Sequence, residues 1–167
     1  RTFAQWIDAD LPSEAEWEYT ARSAGKYSRY PWGEHASTCE RAVMRDERSE
    51  TLSSAPKKKS AHDKGCGRGR AWEVCSKSKG VSVQGVCDMV GNLWEWTLDE
   101  YRPTYEDAPT DGSARCADPE CTPSPTARRV IRGGGYMTKA TGATATMRSK
   151  SNRPAVGIGF RVIKRAK

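Results

Sequence analysis

The sequence predicts one α+β domain of short strands, few helices and long irregular loops pinned by disulfides. Three observations predict it. One segment carries a complete helix-start signal, three short runs read as strands, and six cysteines punctuate the glycine- and proline-bearing stretches between them. At 167 residues and 18.5 kDa, residues 1–167 suit a single domain with its own core. Mean hydropathy is -0.81, yet six Trp, six Tyr and fifteen Gly separate this chain from disordered sequences, which lack aromatics.

The helix is predicted over residues 11–22, Leu-Pro-Ser-Glu-Ala-Glu-Trp-Glu-Tyr-Thr-Ala-Arg. Ser13 is its N-cap and Glu16, three residues on, completes a capping box. Ala15 and Tyr19 share one face, with Trp17 flanking it. Residues 23–25 end the helix and Tyr30-Pro-Trp-Gly33 forms a turn. Residues 34–80 show no periodicity and read as loops held by cysteines, Pro56-Lys-Lys-Lys59 among them. Regular structure returns at Val90–Leu98, where Trp94, Trp96 and Leu98 share a strand face and the two indoles suggest a core wall. Leu93, Glu95 and Thr97 occupy the other face. Residues 99–126 are again loop. Arg129–Arg132 is a short strand, Gly133–Gly135 a tight bend, and residues 157–163 a terminal strand with Ile158, Phe160 and Val162 turned inward.

The cysteines stand at 39, 66, 75, 87, 116 and 121, beside only two histidines, His35 and His62. Zinc sites bring a short Cys pair together with a second ligand pair, and the shortest spacing here is Cys116-x4-Cys121, so disulfides are the better reading. Of fifteen possible pairings, the one expected is Cys116–Cys121 around a small loop, Cys75–Cys87 around residues 76–86, and Cys39–Cys66 around the longest loop. Disulfides imply the periplasm, the cell surface or the extracellular space. No apolar run approaches the roughly 20 residues of a membrane-spanning helix, so no transmembrane segment is expected. The first six residues lack the apolar core of a signal peptide.

Charge is uneven. Eleven bases and no acid follow Glu120, whereas residues 1–120 hold 17 bases against 21 acids. A basic end could meet nucleic acid, anionic lipid or an acidic partner, but no nucleic-acid-binding module is present and a solvated face is the plainer reading.

Four segments carry a family resemblance. They are Leu11-Pro-Ser-Glu-Ala-Glu-Trp-Glu-Tyr19, Tyr30-Pro-Trp-Gly33, Cys87-Asp-Met-Val-Gly-Asn-Leu-Trp-Glu-Trp96 and Arg129-Val-Ile-Arg-Gly-Gly-Gly-Tyr136, followed by Gly159-Phe-Arg161. In this order they resemble the formylglycine-generating-enzyme, or sulfatase-modifying-factor, family. The resemblance implies a C-type-lectin-like fold over residues 5–163 and the C-terminal part of a longer domain. The rest of that domain would come from the full-length chain. The family's activity oxidises a substrate cysteine to formylglycine on copper held by two cysteines, since soft thiolates select Cu(I). Aligned through the glycine bend, those positions are Thr138 and Ala143 here, so no copper is expected. Gly135 also replaces a serine of the family's bend. Related sulfoxide synthases hold iron with histidines, and His35 and His62 in loops offer no comparable set.

The resemblance further implies a structural calcium ion, held by the side chains of Asp88 and Glu95 and the backbone oxygens of Gly91 and Leu93, which suits a hard cation. A second calcium site would fall within residues 40–80. The family's substrate groove maps to residues 136–152, where Tyr136, Thr138, Lys139, Arg148 and Lys150 line a small, polar, basic surface with no carboxylate in the segment. An anionic glycan or an acidic protein segment is complementary to it. Three functions follow as expectations. The first is a non-catalytic ligand-binding or structural module of the cell envelope or exterior. The others are an oxidoreductase of the formylglycine-generating type and an interaction domain of a larger signalling protein.

Overall fold

A computed structural model describes residues 1–45, 64–122, 124 and 126–165. The expected second calcium site lies partly outside these residues; His62 and Pro56–Lys59 lie wholly outside them.

Helix α1 (Thr2–Trp6) opens the chain and was not anticipated, since Arg1 makes no side-chain cap. Helix α2 (Glu14–Ala21) starts where the capping signal puts it. The Glu16 N–H donates to Ser13 Oγ at 3.1 Å and the Ser13 N–H donates to Glu16 Oε2 at 2.7 Å, a reciprocal cap that stabilises a helix by about 1 kcal/mol. Its buried face consists of Glu14, Trp17 and Ala21, one helical repeat. Ala15 and Tyr19, expected to share a face, do so on the solvent side.

Four strands follow: β1 (Trp94–Glu100), β2 (Arg129–Arg132), β3 (Arg148–Ser151) and β4 (Ile158–Phe160), in the order β3-β2-β1-β4. β2 runs antiparallel to β1 and β3, and β4 lies parallel to β1, with Trp94 opposite Ile158. The β1 strand begins four residues later than expected, because Asp88, Gly91 and Asn92 adopt positive φ and curl the chain before it. Its faces also depart from the expectation. Glu95, Thr97 and Asp99 are buried, Glu95 and Asp99 being bonded to α2, whereas Trp94 and Trp96 are half-buried and Leu98 alone of the expected core face is buried. The acids tolerate burial because each finds donors. The Trp17 Nε1–H donates to Glu95 at 2.7 Å, and the Glu14 N–H donates to Asp99 at 2.5 Å. The terminal strand is corrected in the same way. Phe160 is 52% exposed and Val162 36%, since three-residue β4 sits at the sheet edge, where Phe160 meets Phe3 of α1 edge-on at 6.0 Å.

Apolar packing gathers in two clusters. Trp17, Ala21, Met89 and Ala145 form one; Ala42, Met44, Val90 and Ala143 form the other. Burying a side chain of Met89's size contributes about 1.5–3 kcal/mol. Long loops join the clusters, with one 3-10 turn at Ser78–Gly80. All six cysteines are paired as expected: Cys39–Cys66, Cys75–Cys87 and Cys116–Cys121. Among the described residues no helix is long and apolar enough to cross a membrane.

Candidate functional site

The bend after β2 is the hub of the loop surface. Gly133 and Gly134 hold φ of 87° and 74°. A side chain at Gly133 would stand 2.9 Å from the Met89 carbonyl and 3.0 Å from the Trp17 ring, so glycine is required there by both conformation and space. The bend delivers Tyr136, Thr138 and Lys139. The Tyr136 N–H donates to the Asn92 carbonyl at 2.8 Å, and its own carbonyl accepts from Gly65 N–H at 2.7 Å. Thr138 Oγ1 accepts from Gly135 N–H at 2.9 Å, and its carbonyl accepts from Arg45 N–H at 2.9 Å. Residues 139–143 then close a turn, Ala143 N–H donating to the Lys139 carbonyl at 3.0 Å, which seats Ala143 fully buried beside Ala42, Met44 and Val90.

Copper does not fit these two positions. Thr138 offers a hydroxyl already engaged in the bend, Ala143 offers a methyl in the core, and every cysteine of the chain is in a disulfide. His35 is exposed, with its carbonyl accepting from Trp32 Nε1–H.

The same hub holds Trp72, which sequence reasoning passed over. Its N–H donates to Asn92 Oδ1 at 2.9 Å and its Nε1–H to the Gly65 carbonyl at 2.8 Å. Trp72 and Tyr136 thus hang from the same two residues, Gly65 and Asn92. The Arg68 guanidinium and the Lys77 ammonium each lie 3.7 Å from the Trp72 ring centroid. Burial, and then the charge of Arg68, push the Lys77 pKa down, with Asp88 pulling the other way. The available signal was an aromatic residue set in a basic, glycine-rich stretch.

Arg148 and Lys150, expected beside the bend residues, lie apart from that hub on β3. Arg148 donates from Nε at 2.6 Å and from a terminal nitrogen at 3.1 Å to Glu14, and its guanidinium sits 4.5 Å and 4.8 Å from the Tyr101 and Tyr105 rings. Lys150 lies 4.3 Å from the Tyr101 ring. Burial opposes the Arg148 charge, but contact with Glu14 outweighs it and raises the pKa. The Tyr105 hydroxyl donates to Glu14 at 3.0 Å; burial and the Glu14 charge push its pKa up to about 12. Glu14, Tyr105 and Arg148 line a cavity of about 320 Å³ together with Asp99, whose pKa burial raises despite N–H donors from Arg115 and Glu14.

Three of the four expected calcium ligands share one cavity of about 210 Å³, lined by Asp88, Leu93 and Glu95 together with Asn92 and Arg161. Gly91 is outside that lining, packed against the Val43 carbonyl. Asp88 accepts from Cys75 N–H through one oxygen, leaving the other. Glu95 accepts from Trp17 and Arg161 on Oε2 at 2.7 Å and 2.5 Å, and from Arg161 on Oε1 at 2.7 Å. The second Asp88 oxygen suits a hard cation, whereas both Glu95 oxygens are taken by Trp17 and Arg161, and the Arg161 cation belongs to the same lining. Cys75 and Cys87, beside Asp88, are joined to each other and offer no thiolate.

Comparison with known proteins gives one consistent result. Residues 1–166 match the model of the sulfatase-modifying factor enzyme 1-like domain. A formylglycine-generating enzyme of Streptomyces coelicolor is 33% identical over 136 residues, which is 81% of this chain and 38% of that protein. A Bos taurus protein named inactive C-alpha-formylglycine-generating enzyme 2 is 25% identical over 171 residues, 96% of this chain and 46% of its own length. The solved structure of PvdO from Pseudomonas aeruginosa superposes with a TM-score of 0.69 at 27% identity, covering 96% of this chain and 56% of that one. The chain spans about half the length, or less, of the relatives it matches.

Proposed function

This chain belongs to the sulfatase-modifying factor enzyme 1-like family, and from that premise we propose that it is a non-catalytic member, a binding module of an oxidising compartment. The compartment is the periplasm, the cell surface or the extracellular space. The loop surface around the bend at 133–139 takes an anionic ligand, an acidic glycan or an acidic protein segment. The observation that carries this reading is the complete pairing of all six cysteines; the family resemblance, aligned through the glycine bend, puts Thr138 and Ala143 where copper chemistry needs thiolates. Disulfide pairing supports the compartment, because such bonds persist where thiols are not kept reduced.

The test combines alkylation with Cu(I) competition. Intact protein should show six unreactive cysteines, no tight Cu(I) binding and no oxidation of a cysteine-containing sulfatase peptide. Stoichiometric Cu(I) retention together with loss of peptide thiol would return the chain to the oxidoreductases.

A structural calcium ion belongs to the same proposal, with Asp88, Glu95 and the Leu93 backbone oxygen as its holders. The ion would neutralise the Asp88 carboxylate, Glu95 already being paired with Arg161, and pin the curled segment before β1. Chelation by EGTA should then lower the melting temperature, and restored calcium should recover it. For a ligand present at a hundred times its Kd the stabilisation lost is about 2.7 kcal/mol. An unchanged melting curve with EGTA would remove calcium from the proposal.

A further inference from the structure

The geometry points to the Arg68–Trp72–Lys77 cluster as a binding site for sulfated polysaccharide, held through its sulfate groups. This deepens the anionic-ligand reading and rests on it. Two cationic groups at 3.7 Å from one ring centroid would collide on a single face, so Arg68 and Lys77 take opposite faces of the indole. The indole is fixed in turn by Asn92 and Gly65, which hold two positive charges at a set spacing beside Tyr136 and Thr138. Among the described residues no ion pair reaches Arg68 or Lys77, in contrast to Arg148 with Glu14. Residues 64–80 hold five bases and one acid. Lys77 carries its charge against burial and against Arg68, offset only in part by Asp88, so an anion placed there relieves an existing cost.

The ring geometry selects among polyanions. Single-stranded nucleic acid binds through bases stacked on open aromatic faces, and both faces of Trp72 are covered. Duplex recognition places a helix or strand ribbon in a groove, and residues 64–80 offer a single 3-10 turn. Sulfate esters need only fixed cations and N–H donors, which Arg68 and Lys77 present.

Titration calorimetry of the whole chain with a fully sulfated heparin octasaccharide, and with unsulfated heparosan of equal length, tests this. Binding is expected for the sulfated chain only. Replacing both cations (Arg68→Gln with Lys77→Gln) should weaken it roughly tenfold and flatten the logarithmic salt slope by about two. Lys164→Gln, at a lysine that pairs with Asp8 and is outside the cluster, should bind as the parent, and circular dichroism should report all variants folded. Equal binding of heparosan, or a double variant that binds like the parent, overturns the site. Loss on Lys150→Gln instead moves the ligand to β3 and leaves the anionic reading intact. Binding of poly-glutamate with none of heparin removes the sulfated class alone, and binding of neither removes both. A short duplex DNA bound as tightly as heparin at equal salt also overturns the selectivity.

Discussion

Two clusters in this molecule place cations on aromatic rings, and they differ in what lies behind the cation. On β3, Arg148 sits against Tyr101 and Tyr105 and is fastened to Glu14, a side chain only 8% exposed that also takes the Tyr105 hydroxyl and lies 3.5 Å from fully buried Arg132. Around Trp72, Arg68 and Lys77 meet the ring without a carboxylate in ion-pair range among the described residues. The first arrangement closes its own charge and joins helix α2 to the sheet. The second leaves charge facing outward. Similar side chains thus serve as structure in one place and as a surface for ligands in the other, and the neighbouring carboxylate decides which.

The comparison breaks most visibly at Glu14. Glu14→Gln should leave Arg148 without its carboxylate and fully buried Arg132 with Glu18 alone, and cost about 3–5 kcal/mol, read by chemical denaturation. Arg68→Gln should stay within about 0.5 kcal/mol of the parent, as exposed substitutions do. Similar losses from both would erase the distinction. Next comes the staple under the Trp72 loop. Removing Cys75–Cys87 with alanines should cost about 2–5 kcal/mol and weaken heparin binding, because the bond tethers the segment between Trp72 and Lys77. Stability lost without any change in binding would mean that Trp72 holds its cations unaided.

The smallest effect concerns pH. Burial raises the folded pKa of Asp99 above 3.8, with Glu14 adding to the rise. The stability this group contributes is therefore fully present below pH 3.8 and lost as pH rises through its folded value. Asp99→Asn should flatten the pH dependence of the melting temperature across that interval. It should leave heparin affinity unchanged, since Asp99 belongs to the β3 side; a shift in affinity would couple the two clusters.

Much of this was legible in the sequence where a local rule acts alone. The capping box of Ser13 and Glu16 placed α2, the glycine bend followed Arg129–Arg132, and spacing led to the disulfide pairing. Non-local effects hid the rest. Alternation at residues 93–98 told which side chains share a face but not which face is covered, and the covering group, α2, brings an indole N–H and backbone donors rather than methyls. Strand β3, Arg-Ser-Lys-Ser, has no apolar or β-branched residue and forms because β2 offers it four partners in register. The candidate ligand surface was half visible. Tyr136, Thr138 and Lys139 are neighbours in sequence, but Trp72 joins them only through Gly65 and Asn92, contacts that no spacing announces.

Strand β1 lies at the centre of the sheet, and its two neighbours come from residues 129–132 and 158–160. A growing chain emits β1 long before either of them. Closure of the sheet waits for residues 158–160 to emerge, and pairings this distant form slowly. Through that interval the half-exposed indoles of β1 would be open to aggregation, while short-range cross-links such as Cys116–Cys121 can already form. The topology therefore favours covalent closure of the loops before completion of the sheet.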